Sequence, residues 1–317
     1  MRILVTGGAG FIGSNIAKQL HLDGHDVVAA DSFLSASWDT LTDFGGDVLT
    51  LKDPEDVQSM IDLGPVTDGA PFDVICHQAS ITGVIVDAGG TADPHKMMRN
   101  NVETFRKLLD HAVATKARVV WASSCSVYGR GEVPMKESQP YDPLNVYAFS
   151  KVTMERMAAR YAKKLAHPIV GLRYSNAYGP GEANKGKLAS MIYQLATQMR
   201  AGKRPRIFNP GTQKRDFVYI ADVVQANIKA MSAKEPGVYN GGAGRSWSFN
   251  DVVSELNRVL KTDLQPDYFE NPYGFTQDWT ETDQSLARQK IGYEPKYDLR
   301  AGIEAYHASG KLGTQRI

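Results

Sequence analysis

The sequence predicts a doubly wound parallel α/β sheet with a smaller α/β lobe on its C-terminal side. Three observations predict it. Strand-like and helix-like stretches alternate through the first 175 residues. The strands are short, near-continuous apolar runs of the kind buried on both faces of a parallel sheet. A glycine-rich turn joins the first strand to the first helix.

The elements follow in order. "RILVT" reads as a buried strand. "FIGSNIAKQLHLDG" reads as a helix, with Ile12, Ile16 and Leu20 one turn apart and Gly24 as its stop. "HDVVAAD" is a second strand, "PEDVQSMIDL" a short helix opened by Pro54, and "FDVICHQAS" a third strand. "HKMMRNNVETFRKLLDHAVA" is a long helix whose Phe105, Leu108, Leu109 and Ala112 form one apolar stripe. "ARVVWASS" is a further strand. A helix containing "NVYAFSKVTMERM" and then the strand "HPIVGLRYSN" follow. Beyond residue 176 the alternation loosens, with helices predicted at 187–201, 220–232 and 248–260. Residues 1–175 are therefore read as the main domain and 176–317 as the lobe, with some late segments free to return to the sheet.

In "VTGGAGFIG" the glycines Gly7, Gly10 and Gly13 fall between the first strand and the first helix. This is where a Rossmann unit holds a pyrophosphate: the first glycine makes the tight turn, the second lets backbone approach phosphate, and the third lets helix and strand pack closely. The free N–H groups of the helix N-terminus face the anion. Asp31 closes the second strand, eighteen residues after Gly13. An acid there accepts hydrogen bonds from an adenosine ribose and repels a 2′-phosphate. No Lys or Arg occurs between Asp31 and Lys52, so the sequence favours NAD over NADP.

Composition narrows the remaining classes. The 317 residues are 42% hydrophobic and 22% charged, with a formal net charge of +1, and no basic arm or stripe suggests nucleic acid as a partner. No stretch approaches the ~18–20 apolar residues of a membrane span. No signal peptide is visible after Met1-Arg2, and Cys76 and Cys125 sit in apolar runs, as buried thiols of a reducing compartment would. The seven histidines form no ligand-spaced cluster, so no metal is expected. The cytoplasm is the expected location.

Tyr147 and Lys151 are four apart at the start of a helix and share one face. Together with "TGGAGFIGS", Asp31, "HQAS", "ASSCSVYG" and "RYSNAYGPG", in that order, the chain resembles the extended short-chain dehydrogenases/reductases, mostly nucleotide-sugar epimerases and dehydratases. The resemblance covers nearly the whole chain. It implies that Ser124, Tyr147 and Lys151 surround the nicotinamide and the reacting sugar carbon, with Tyr147 as the general acid/base. It also implies cofactor contacts from Phe11, Ile12, Ser32, Asp47, Val48, Gln78, Ala79, Ser80, Asn101 and Tyr174, and substrate contacts from Ser126 and Asn176. A homodimer through the 95–115 helix and the Tyr147 helix is the family default.

"PLNVYAFSK", "RYSNAYGPGEANKGKLAS", "KRDFVYIADV" and "GFTQDWTETD" resemble one branch, the ADP-glyceromanno-heptose 6-epimerases. That implies Lys185 as a second acid/base facing Tyr147, Arg215 on the nucleotide diphosphate, Phe208 to Gly211 closing over the nucleotide, and Tyr273 touching it. Lys187 stands where the branch has a substrate-side serine, Asn184 where it has histidine, and Trp38 where it has a lysine that admits NADP. The expected function is NAD-dependent epimerisation of a nucleoside-diphosphate sugar through a keto intermediate. The alternatives are a UDP-hexose 4-epimerase, a 4,6-dehydratase, a dehydrogenase of a small hydroxylated substrate, and a non-catalytic NAD-sensing module. Cys125 and Ser126 stand where dehydratases carry an Asp-Glu pair, which argues against dehydration.

Overall fold

The computed structural model describes residues 1–33, 36–51, 71–82, 93–272 and 278–314. The predicted helix from Pro54 lies outside them. Strands β1 (Arg2–Thr6), β2 (Asp26–Asp31), β3 (Asp47–Thr50), β4 (Val74–His77), β5 (Arg118–Ser124) and β6 (Val170–Tyr174) are laid down in turn. Helices α1 (Phe11–Leu22), α2 (Pro94–Met98), α3 (Thr104–Thr115) and α4 (Val146–Tyr161) lie between them. The long helix predicted at 95–114 is α2 and α3 joined through a π-helical turn at Arg99–Glu103.

The later part adds β7 (Asn176–Tyr178), β8 (Arg206–Phe208), β9 (Lys214–Tyr219), β10 (Gly237–Gly241), β11 (Ser246–Ser248) and β12 (Asp267–Phe269). Its helices are α5 (Met191–Arg200), α6 (Ile220–Ala230), α7 (Phe249–Leu260), α8 (Ser285–Ile291) and α9 (Leu299–Ala308). The main sheet has the order β10-β6-β5-β4-β1-β2-β3 and is parallel throughout. Strand β10 returns from the second part of the chain to its edge. Strands β11, β9 and β7 form a second sheet, and β12 pairs with β8.

The burial pattern explains the parallel sheet. Every residue of β4 and β6 is buried, as is the centre of β5. Side chains alternate between two cores: Ile3 and Val5 face one, Leu4 the other, and β2, β4 and β5 repeat the alternation. The first core runs on without a break into the lobe through Ile192, Leu195, Phe217, Val252 and Ile303. Strand β3 was not anticipated from sequence, because its four residues are only partly covered at the sheet edge.

Two predicted elements are redrawn. "HPIVGLRYSN" does not continue as one strand: β6 ends at Tyr174, and Asn176 starts β7, which pairs with β9 in the other sheet. The helix expected from 187 starts at Met191, capped by Ser190, whose side chain accepts from Tyr193 N. Before it, Glu182–Leu188 forms a 3₁₀ segment broken at Gly186, which has φ +53°.

Candidate active site

The sheet order reverses between β1 and β4, which leaves a crevice at the C-terminal ends of these strands. A cavity of about 650 Å³ opens there and extends to the lobe. One wall is the glycine turn. A Cβ on Gly7 would sit 2.7 Å from Ala79 N, and one on Gly13 would sit 2.0 Å from the Gly7 carbonyl oxygen, so neither position admits a side chain. A Cβ on Gly10 would meet only Gly7 O, at 3.1 Å, because this residue faces the open cavity. Helix α1 starts here with no side-chain cap, so its first-turn N–H groups are turned to the cavity without a built-in acceptor. Ser80 lines the same wall, and its buried hydroxyl has no partner among the described residues. A cradle only a glycine fits, uncapped N–H donors and an orphaned hydroxyl together suit a dinucleotide pyrophosphate.

Asp31 ties this wall together. Its carboxylate accepts from Ala9 N at 3.0 Å and Phe33 N at 2.9 Å. Burial raises its pKa, and the Phe33 and Ala9 hydrogen bonds work against that. Thr40 Oγ1 donates to the Ala9 carbonyl at 2.7 Å, so Ala9 is gripped from both sides.

The opposite wall carries the predicted catalytic set. Ser124 comes from the end of β5, and Tyr147 and Lys151 from the first two turns of α4, which Asn145 caps by accepting from Ala148 N at 2.8 Å. All three line the cavity. Burial pushes the Tyr147 phenol up to about 12, while a hydrogen bond with Ser124 opposes the rise. Burial pulls the Lys151 ammonium down to about 7 against the nearby Glu155 charge. Lys151 Nζ donates to the Ala122 carbonyl at 2.8 Å.

Gly7, Gly10, Phe11, Ile12, Gly13, Gln78, Ser80, Tyr174, Asn176, Lys185, Phe208 and Arg215 also line this one cavity. Lys185 Nζ lies 5.4 Å from the Phe11 ring centre, which brings the lobe's 3₁₀ segment across to the glycine turn. Burial lowers the Lys185 pKa, and Glu182 raises it. Glu182 fixes that segment by accepting from Gly179 N and from Ser190 N and Oγ. The Arg215 guanidinium stands 5.8 Å from the Phe249 ring.

Other predicted residues are not brought to the cavity. Asp47 and Val48 pair with Val28 and Ala29, at the far end of β3, whereas Thr50 is the residue level with Asp31. The cofactor contact expected of Asp47 and Val48 thus lies at the end of β3 opposite the residue level with Asp31. Asn101 is fully buried and spends its amide on Ile81 and Ser150: it accepts from Ile81 N at 2.9 Å and donates to Ile81 O and Ser150 Oγ, both at 3.1 Å. It anchors the chain after β4 from behind. Ser126 lies beyond Ser124, whose hydroxyl accepts from Ser126 N. Lys187 is exposed, and Ser32, Ala79 and Lys187 do not line the cavity. Tyr273 lies outside the described residues.

Sequence reasoning missed Asn227, Phe249 and Glu155. Asn227, fully buried on α6, donates to Tyr174 OH at 2.8 Å and accepts from Gln78 Nε2 at 3.1 Å, locking two cavity residues together. Nothing local marks it, since the contact spans 149 residues. Glu155 was legible as the next same-face residue after Tyr147 and Lys151.

The model of the NAD dependent epimerase/dehydratase family matches residues 3–242. An ADP-L-glycero-D-manno-heptose-6-epimerase of Brachyspira hyodysenteriae is 34% identical over 327 aligned residues, spanning 96% of each chain. The crystal structure of the Helicobacter pylori enzyme of the same name superposes with a TM-score of 0.88 at 36% identity, covering 97% of this chain and 95% of that one. UDP-glucose 4-epimerase from Thermotoga maritima, solved with UDP-glucose, gives 0.86 at 27% identity over 98% and 99%.

Proposed function

This chain belongs to the NAD dependent epimerase/dehydratase family, and we propose from that premise that it epimerises a nucleoside-diphosphate sugar, with an ADP-linked heptose as the leading substrate. The observation that carries the reading is the convergence of Ser124, Tyr147 and Lys151 with the glycine turn and Arg215 on one cavity. The heptose version draws support from likeness to the two heptose epimerases over nearly the full chain.

In this reading Gly7 to Gly13 and the α1 N-terminus hold the NAD pyrophosphate, Asp31 takes the adenosine ribose, and Ser80 and Gln78 run along the dinucleotide. What NAD supplies when bound is a reversible hydride acceptor. The side chains do the rest. Tyr147 takes the hydroxyl proton of the reacting carbinol and later gives it back. Ser124 hydrogen-bonds the same oxygen and fixes its direction. Lys151, one turn along, stabilises the Tyr147 phenolate by its charge. Arg215 binds the diphosphate, and Phe208 and Phe249 provide apolar surface beside it. Lys185 faces the sugar as a second acid/base, and Asn176 binds a sugar hydroxyl. Residues 1–175 serve the cofactor and 176–317 the substrate, with β10 returned to the main sheet.

The proposal includes a homodimer through the 95–115 stretch, α2 to α3, and through α4, on which Phe149 is 50% exposed. It also includes the cytoplasm as location, which suits the two buried free thiols, Cys76 and Cys125. No helix among the described residues is long and apolar enough to cross a membrane.

The test is incubation of the holoenzyme with ADP-heptose, UDP-glucose and UDP-glucuronic acid, followed by NMR of the sugar. An epimer formed with no accumulation of NADH is the expected result. Stoichiometric NADH from an unphosphorylated hydroxylated substrate, with no reaction of any nucleotide sugar, overturns the epimerase reading.

A further inference from the structure

Behind the proposed catalytic set lies a buried ion pair that the reaction scheme does not use. Glu155 follows Tyr147 and Lys151 by further turns on the same face of α4, and its side chain is 1% exposed. Arg173, on β6, grips it with two donors: Nη2 to Oε2 at 2.6 Å and Nε to Oε1 at 2.9 Å. Ser123 Oγ donates to Oε1 at 2.5 Å and Tyr141 OH to Oε2 at 2.9 Å, so the carboxylate takes four hydrogen bonds.

The pair is set against the site residue by residue. At the end of β5, the Ala122 carbonyl accepts from Lys151, the Ser123 hydroxyl donates to Glu155, and Ser124 bonds Tyr147. Three consecutive strand residues thus engage three helix residues spaced four apart. Arg173 completes the layer from the next strand, where it pairs in register with Ser123.

We propose that Glu155 and Arg173 form a positioning pair for Lys151 and Ser124: the carboxylate keeps a negative charge one turn below the Lys151 ammonium, and its bond to Ser123 fixes the strand end that presents Ser124. The proposal rests on the Ser124–Tyr147–Lys151 reading above. An ion pair of this burial is weak evidence of stability by itself, because desolvation offsets its attraction. A role in setting the Lys151 charge gives it a use that an apolar pair of equal volume does not have.

The groups around Lys151 leave Glu155 as its near counter-charge. Tyr147 and Glu155 face it from its own helix. Strand β5 offers only the Ala122 carbonyl and two hydroxyls. From β4 comes His77, whose Nδ1 lies 2.8 Å from Thr6 Oγ1 and whose pKa is pulled down to about 3 by burial and then by Lys151, so it is neutral. From β6 come Tyr174 and Arg173. Burial pushes the Tyr174 phenol up beyond the ordinary range and the Cys125 thiol well up, so both stay uncharged. Burial would lower the Arg173 pKa, but Glu155 raises it, so Arg173 stays charged.

The experiment reads the Lys151 titration in ligand-free protein as the pH dependence of the melting temperature minus that of the matching Lys151→Met variant. In Glu155→Gln the Lys151 step should move to lower pH by about one unit or more, since an unpaired Arg173 is left nearby. In Arg173→Gln it should move to higher pH by a similar amount, since Glu155 is left unopposed. Opposite displacements are not expected of a pair that only packs the fold. Glu155→Gln/Arg173→Met leaves no buried charge unpaired and serves if a single variant fails to fold; loss of the nearer charge should still move the step down. A step that stays within about 0.3 units in the folded variants overturns the proposal. Because the readout needs no turnover, failure of the Ser124–Tyr147–Lys151 reading would show separately, as undiminished turnover in Tyr147→Phe.

Discussion

Lys151 Nζ stands 5.6 Å from the centre of the Tyr147 ring, with only one turn of helix between the two residues. Both groups are displaced from their ordinary titration, in opposite senses. Tyr147 rises to about 12 and Lys151 falls to about 7, and burial is the first cause of each. In the ligand-free protein the phenol is therefore protonated at neutral pH, and the Lys151 ammonium gives up its proton far more readily than a free lysine. A Tyr147 phenolate would favour the charged lysine, and the charged lysine would favour the phenolate.

This yields a stability prediction with a definite sign. An unfolded lysine holds its proton up to about pH 10.4, whereas folded Lys151 releases it near 7. Between about pH 7 and pH 10 the unfolded chain binds the extra proton, so Lys151 makes the folded state more stable as pH rises through that window. The melting temperature of wild type minus that of Lys151→Met should therefore climb across it. Tyr147 acts above it: the unfolded phenol ionises near ~10, while the folded one holds its proton to about 12, so stability falls with pH there. A flat difference curve between pH 7 and 10 would contradict the burial of the Lys151 charge.

Replacing the phenolic oxygen tests the chemistry directly. Tyr147→Phe should keep the fold and the NAD dissociation constant, because neither depends on the hydroxyl. Turnover should fall by at least about 10²-fold, the usual contribution of a well-placed acid/base. Turnover within about threefold of wild type would remove Tyr147 from that role.

The cofactor preference follows from the Asp31 wall. Its carboxylate accepts from Ala9 N and Phe33 N and keeps acceptor capacity for a ribose hydroxyl, and the Phe33 ring is stacked on Trp38 with centres 4.2 Å apart and Trp38 57% exposed. A 2′-phosphate placed there would meet a carboxylate and an aromatic face. We expect NAD to bind at least about tenfold more tightly than NADP, a difference of ~1.4 kcal/mol. Calorimetry giving equal dissociation constants would mean that a cation elsewhere reaches the 2′ position.

Sequence made the sheet half of this site legible for a local reason. Gly7 to Gly13, Tyr147 and Lys151 act through spacings of a few residues, which one helix or one turn translates into geometry. Asp47 and Val48 could not be placed from sequence because β3 has no apolar signature, and without its register the strand end level with Asp31 could not be counted. Asn101 is a different case: a buried amide can serve a ligand or a loop, and only the fold reveals its bonds to Ile81 and Ser150. The break at Ser175, where the chain leaves one sheet for another, is invisible in "GLRYSNAY" because both halves are equally strand-like. Asn227 joined the site through a contact 149 residues away and Phe249 through Arg215 on a different element, which no local pattern encodes.

The lobe carries the final prediction. Arg215 sits in the cavity beside Phe249, donating from Nη1 to the Lys214 carbonyl at 2.8 Å. Burial lowers its pKa and the Asp278 charge raises it. A guanidinium so placed suits a diphosphate, and each charge-assisted hydrogen bond is worth about 1.5–3 kcal/mol. Arg215→Ala should raise KM for the nucleotide sugar by tenfold or more on that scale, about 1.4 kcal/mol per tenfold, and leave NAD affinity unchanged. Lys185 should behave differently if it handles a proton. It reaches toward Phe11 from a segment that Glu182 fixes, and its lowered pKa suits a lysine that shares its proton. Lys185→Ala should therefore lower kcat while nucleotide-sugar binding persists, since an acid/base acts in the transition state and an anchor acts equally before it. If Lys185→Ala changes only KM, Lys185 is a phosphate or sugar anchor, and epimerisation runs with Tyr147 as its single acid/base.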